Sequence, residues 1–131
     1  MADSSTLLTA FEQGRIEPAD FGHRDHLDVA FHLLDRCGFL GALTIYAGTI
    51  QTMAQQAGAP EKYNATITCA FLSLIAERKA QSKADEFQVF LDANADLLDS
   101  NPLLKWYSAD RLFSEQARSR FVLPDRIGSA T

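Results

Sequence analysis

No cluster of lysine or arginine occurs anywhere in this chain, and 17 acidic residues against 12 basic ones leave a net charge of -5. A nucleic-acid binder needs a basic face that displaces counterions from phosphates, so that class is excluded. No apolar run approaches the roughly 20 residues a bilayer crossing takes; the longest, CAFLSLIA, covers 69–76. The opening MADSSTLLTAF has neither a charged leader nor a long apolar stretch. That predicts no secretion signal, no membrane partner and a cytoplasmic location.

Cysteine is scarce too. Cys37 and Cys69 stand in no metal-ligand or redox spacing, and a reducing compartment keeps them as thiols that pack like small apolar residues. There is no GxSxG nucleophile elbow, no phosphate-cradling glycine loop and no HExxH. GALTIYAG carries spaced glycines but follows no strand, so it is not read as a nucleotide motif. No segment alternates at period two, which removes the sheet classes.

What the chain does have is apolar residues at helical spacing throughout, 47% of 131 residues and nine Phe among them. That is enough for one core and too little for two, so residues 1–131 are expected to form a single all-α domain, a compact bundle of about five main helices. Expected helices cover 5–13, stopped by Gly14; 23–37, stopped by Gly38; 40–57, stopped by Gly58; 60–81, begun by Pro60; and 84–98. Short C-terminal pieces follow, with Ser108 and Ser114 as caps, and the tail after about 125 reads as extended or frayed.

FGHRDHLDVAFHLLDRCG, residues 21–38, sets three histidines within ten positions. With a turn of about 100° per residue, His23 falls amid Leu27, Ala30, Phe31, Leu34 and Cys37, with His26 beside it. Asp28 and His32 fall on the opposite, solvent side. Two inward imidazoles each need a donor and an acceptor, which calls for a polar pocket. EKYNATIT, residues 61–68, offers its walls: read as the first turn of a helix, it turns Asn64 and Thr68 inward and Tyr63 to the flank, with Lys62 joining if the loop bends it back. Tyr46 sits in the stripe Phe39, Leu43, Ile50 and Met53, and a buried phenol needs a partner.

FGHRDHLDVAF, KYNATIT and WYSADRLFSEQARSRFVLPD together resemble a mostly uncharacterised family of small bacterial helical proteins, written FxHxxHL, KYHxTIT, YSxxRLxS and FxxPD. The resemblance spans about residues 21–125 and implies an all-α domain with no activity attached. It implies a site that draws on His23, His26, Lys62, Tyr63, Thr66, Thr68, Tyr107, Ser108 and Arg111. This chain departs from the pattern at Asn64, where histidine is usual, and at Ala65, often acidic.

The function expected from these residues is a metal-independent enzyme of specialised metabolism, with His23 and His26 as an acid/base pair acting on an organic small molecule. Isomerisation, dehydration, cyclisation and imine-type condensation all need only such proton transfers. Tyr46, Lys62, Tyr63, Asn64, Thr68, Tyr107 and Arg111 are the candidate substrate-binding residues, Arg111 for an anionic group. One alternative is a non-enzymatic helical binding module. Another is a zinc or iron enzyme ligated by His23 and His26, for which Asn64 is a poor third ligand. From Cys37 to Pro60 no residue is charged, and the small outer face with Gly41, Thr44, Gly48, Gln51, Thr52 and Gln55 suggests a homodimer surface.

Overall fold

The computed structural model describes residues 4–99 and 101–126, and among them every regular element is helical. The elements are α1 (Ser4–Glu12), α2 (His23–Gln56), α3 (Ala65–Ser82), α4 (Phe87–Ala93), α5 (Ala109–Leu112) and α6 (Glu115–Ser119). Single 3-10 turns at Pro18–Asp20, Pro60–Lys62, Ala95–Leu98 and Pro102–Lys105 join them. The all-α expectation is met. The end of the tail, 127–131, lies outside the described residues.

α2 is nominally one helix of 34 residues, but Gly38 within it has φ 70° and ψ 180°. Only glycine occupies that region routinely, because any Cβ there meets the backbone. The chain folds back at this point. His26 and Tyr46, 20 residues apart, would be separated by about 30 Å along a straight helix at 1.5 Å per residue; their side chains are instead 3.2 Å apart. α2 is therefore a helical hairpin of two arms, 23–37 and 39–56. The stop expected at Gly38 is where the chain turns.

α3 packs against both arms, and α1 lies on α2, held by the Arg36–Glu12 ion pair. The core between them holds Phe11, Leu27, Phe31, Leu33, Leu72, Ile75, Phe90, Leu97 and Leu112. Fully burying a side chain of this size contributes about 1.5–3 kcal/mol. Phe31 is the hub, with ring centroids 5.1 Å from Phe90 and 5.7 Å from Phe87. Its truncation to Ala would cost about 3–5 kcal/mol.

Four sequence expectations are corrected. The helix expected from 60 begins at Ala65, because Tyr63 is extended and the Asn64 side chain caps Ile67 N–H at 2.8 Å. The helix expected to reach 98 breaks after Ala93. Asn94 is buried there, and its side-chain Nδ2 donates back to Phe90 O at 2.9 Å, competing with the helix ladder. Phe39 is 38% exposed rather than in the core, since it sits at the hairpin tip. Asp28 is buried, not solvent-facing, and His32 is half-buried beside it.

The C-terminal segment runs back over α3 and is fastened at each step. Ser108 and Ser114 cap α5 and α6 as expected. Thr66 Oγ1 donates to Arg120 O at 2.8 Å and accepts from Val122 N–H at 3.0 Å. Tyr107 Oη donates to Val122 O, Arg111 Nε to Leu123 O, and Ser108 binds the Asp125 carboxylate through both N–H and Oγ.

The face of the second hairpin arm that carries Leu40, Thr44, Gly48, Gln51, Thr52 and Gln55 is exposed, so no other described element covers it. An 18-residue window of α2 averages a mean hydropathy of 1.2 with a third of it buried, which matches a membrane-crossing helix by length and composition. Counting uninterrupted apolar residues misses this window, since Thr, Gln and Gly punctuate it.

Candidate functional site

One cavity of about 240 Å3 opens where the start of α2, the second hairpin arm, the start of α3 and the Pro102–Lys105 turn converge. Seven of the nine candidate residues line it: His23, His26, Tyr46, Lys62, Tyr63, Asn64 and Thr68. The hairpin brings Tyr46 across to His26. The Pro60–Lys62 turn bends Lys62 to the rim.

His23, at the first position of α2, is exposed on one side and stacks obliquely on Phe71 with 5.4 Å between centroids. Its Nε2 donates to the Leu97 carbonyl at 2.8 Å. A carbonyl oxygen only accepts, so Nε2 carries a proton, and in the neutral ring the lone pair is on Nδ1.

His26 is partly buried, with Phe21 4.4 Å away centroid to centroid and Tyr46 edge-on. Its Nδ1 is hydrogen-bonded to Tyr46 Oη at 3.2 Å. Burial first, and the neighbouring His23 second, push its pKa down to about 4. Tyr46 is buried, and that burial drives its phenol well above the usual range. Both partners are thus neutral at pH 7. Burial likewise raises Tyr63, with Cys69 adding to the effect and the Thr68 hydroxyl opposing it.

Asn64 and Thr68 are largely committed to the fold. Asn64 Oδ1 caps α3 and Nδ2 donates to Leu112 O at 2.9 Å, while Thr68 Oγ1 donates to Asn64 O at 2.8 Å. What remains for a ligand is one amide hydrogen and the lone pairs of the hydroxyl.

Tyr107 and Arg111 are not in this cavity, a correction to their expected place. Both hold the C-terminal segment, as do Thr66 and Ser108, so four of the motif positions that suggested a site fasten the tail. Ile50, Ile67, Phe71, Asn101, Pro102 and Leu103, not among the expected site residues, complete the walls. The hydrophobic stripes could have flagged the first three. Nothing local marks the 101–103 turn.

A second cavity of about 430 Å3 lies between α3 and the C-terminal segment, lined by Glu77, Arg78, Lys105, Trp106, Tyr107 and Phe121 among others. It is larger but chemically quieter: the Arg78 guanidinium is already bidentate with Asp96. The smaller cavity, with its two imidazoles, is the better candidate.

Among the described residues no group of three His, Cys, Asp or Glu converges as a metal centre would require. The donor set at the cavity is two imidazoles and an amide, which does not suit zinc or iron.

Compared with known protein families, curated proteins and solved structures, the chain matches none of them significantly. The resemblance to the small bacterial family rests on its motifs alone.

Proposed function

We propose that the cavity is the active site of a small proton-transfer enzyme, with His23 as general base and His26 as a neutral hydrogen-bond donor. The observation that carries this is the bond from His23 Nε2 to Leu97 O, which fixes the ring and leaves Nδ1 as the nitrogen that can accept a proton. An oriented imidazole beside an apolar cavity is suited to abstracting a proton from carbon or nitrogen, then returning it elsewhere.

His26 has a different part. With a pKa near 4 it is a weak base, but it stays uncharged at neutral pH. In this reading the Tyr46 O–H donates its hydrogen bond to Nδ1, so His26 carries Nε2–H and polarises a substrate carbonyl or imine. Isomerisation, dehydration, cyclisation and imine-type condensation fit this pairing.

The test is hydrogen–deuterium exchange. Small ketones, aldehydes and 2-oxo acids are incubated in D2O with the protein, and deuterium at carbon is followed by NMR. Wild type exchanges one of these classes; His23→Gln lowers the rate about 100-fold or more while its circular dichroism is unchanged. Exchange of none of the classes, or full exchange by His23→Gln, removes the acid/base reading.

One observation favours a second reading, a non-enzymatic small-molecule carrier: the Asn64 and Thr68 donors are used internally. A carrier would bind a ligand in this cavity and release it unchanged.

A further inference from the structure

We propose that the cavity's ligand is a small monocarboxylate with an apolar body, held with its carboxylate toward Lys62. This deepens the proton-transfer reading of the same site by naming the substrate class.

The first argument is charge. The chain carries a net charge of -5, yet among the described residues no Asp or Glu lines this cavity, and Lys62 is the one Lys or Arg that does. Asp25, at the start of α2, does not line the cavity and accepts the Gly22 N–H at 2.9 Å. The starts of α2 and α3 both open onto the same space, and their dipoles add partial positive charge to what Lys62 supplies.

The second argument is size and polarity. Ile50, Ile67, Phe71 and Leu103 make much of the wall hydrocarbon, which requires an apolar ligand body. A dry cavity of about 150 Å3 takes a benzene ring, so about 240 Å3 takes a ring or branched chain plus one carboxylate. Drug-sized ligands need more, from about 300 Å3 upward. A phosphate is disfavoured, because it carries up to two charges and is normally cradled by several backbone N–H groups. Here one lysine faces the ligand, and Asn64 already caps the first turn of α3.

The third argument is placement. Lys62 and His23 are exposed at the rim and His26 lies half-buried deeper in the same space. A carboxylate held at the rim points the apolar body and its acidic hydrogens toward the imidazoles.

The experiment titrates the full chain with benzoate, benzamide and benzylamine, three ligands of one shape and different charge, and follows the ring resonances of His23 and His26 by NMR. Benzoate shifts both rings saturably and binds about fivefold or more tighter than benzamide, while benzylamine does not bind. Lys62→Gln weakens benzoate about two- to fivefold, the range for a solvent-exposed ion pair, and Lys62→Arg restores it. Equal binding of benzamide and benzoate overturns the carboxylate assignment but leaves the cavity and its proton chemistry standing. If none of the three ligands moves the histidine rings, both the assignment and the enzyme reading fall. Benzoate binding with no deuterium exchange in the preceding assay supports the assignment and sinks the acid/base reading alone.

Discussion

His26 Nδ1 and Tyr46 Oη are 3.2 Å apart although 20 residues of one nominal helix separate them. That contact exists only because the chain reverses at Gly38, whose φ of 70° and ψ of 180° an L side chain rarely adopts. Beyond the adjoining backbone, a Cβ at Gly38 would meet nothing within 4 Å, so substitution there acts through the backbone alone.

Gly38→Ala is therefore expected to destabilise the protein by about 1–3 kcal/mol, the cost of a strained residue of this kind. The midpoint of urea denaturation reads the loss. The same variant should weaken the His26–Tyr46 bond, since straightening the hairpin draws the arms apart; the His26 ring signal then moves toward that of a solvated imidazole. Gly48→Ala is the control, because Gly48 is also exposed and also clear of neighbours but lies in ordinary helix. Alanine there should be neutral or slightly stabilising.

Two histidines give the fold opposite responses to pH. His26 has its pKa lowered from 6.5 to about 4, so the folded state resists a proton that the unfolded chain accepts. Its contribution is fully present above pH 6.5 and is lost as pH falls through about 4, amounting to about 3 kcal/mol at 1.36 kcal/mol per unit. His32 runs the other way. The Asp28 side chain raises its pKa, with Nδ1 at 2.8 Å from Asp28 O and 2.9 Å from the carboxylate. That contribution is full below 6.5 and is lost as pH rises through the folded value. Chemical denaturation from pH 4 to 9 should show the acid limb flattened in His26→Gln and the alkaline limb flattened in His32→Gln. An acid limb unchanged by His26→Gln would place that ring in water.

Much of this fold was legible because its punctuation is local. Gly14, Gly38 and Gly58 all adopt positive φ where the apolar pattern predicts stops, and Ser108 and Ser114 cap the short helices as expected. The wheel over 23–37 turns His23 and His26 inward and the next apolar stripe brings out Tyr46; the structure sets all three on one cavity, with His23 exposed at its edge rather than buried. What failed was whatever depends on distant chain. Asn64 faces inward as its position predicts, but as the cap of α3 rather than in its first turn, and its second bond goes to Leu112, 48 positions away. Tyr107 and Arg111 drew notice through their motif, but their partners Val122 and Leu123 become visible only once the tail folds back. Asp28 looked solvated on its own helix. Its burial comes from neighbours that no single-helix projection contains.

The general base proposed here depends on a turn that Arg78 holds. Arg78 Nη1 donates to Asn94 Oδ1 at 3.1 Å and to Asp96 Oδ1 at 2.9 Å, and Nη2 donates to Asp96 Oδ2 at 2.7 Å. These bonds bracket the Ala95–Leu98 turn, and Leu97, within it, supplies the carbonyl that orients His23. Arg78→Lys keeps the charge but cannot reproduce the planar fork. Because Asp96 is 41% exposed, the loss in global stability should be small, about 0.5–1 kcal/mol. The effect on His23 should be larger in proportion. Its Nε2–H, protected by the Leu97 bond in wild type, should exchange faster with water in Arg78→Lys, and the Nδ1–H tautomer should gain population by 15N shifts. An unchanged His23 ring in this variant would mean that packing of Leu97, rather than the Arg78 fork, sets the position of the carbonyl.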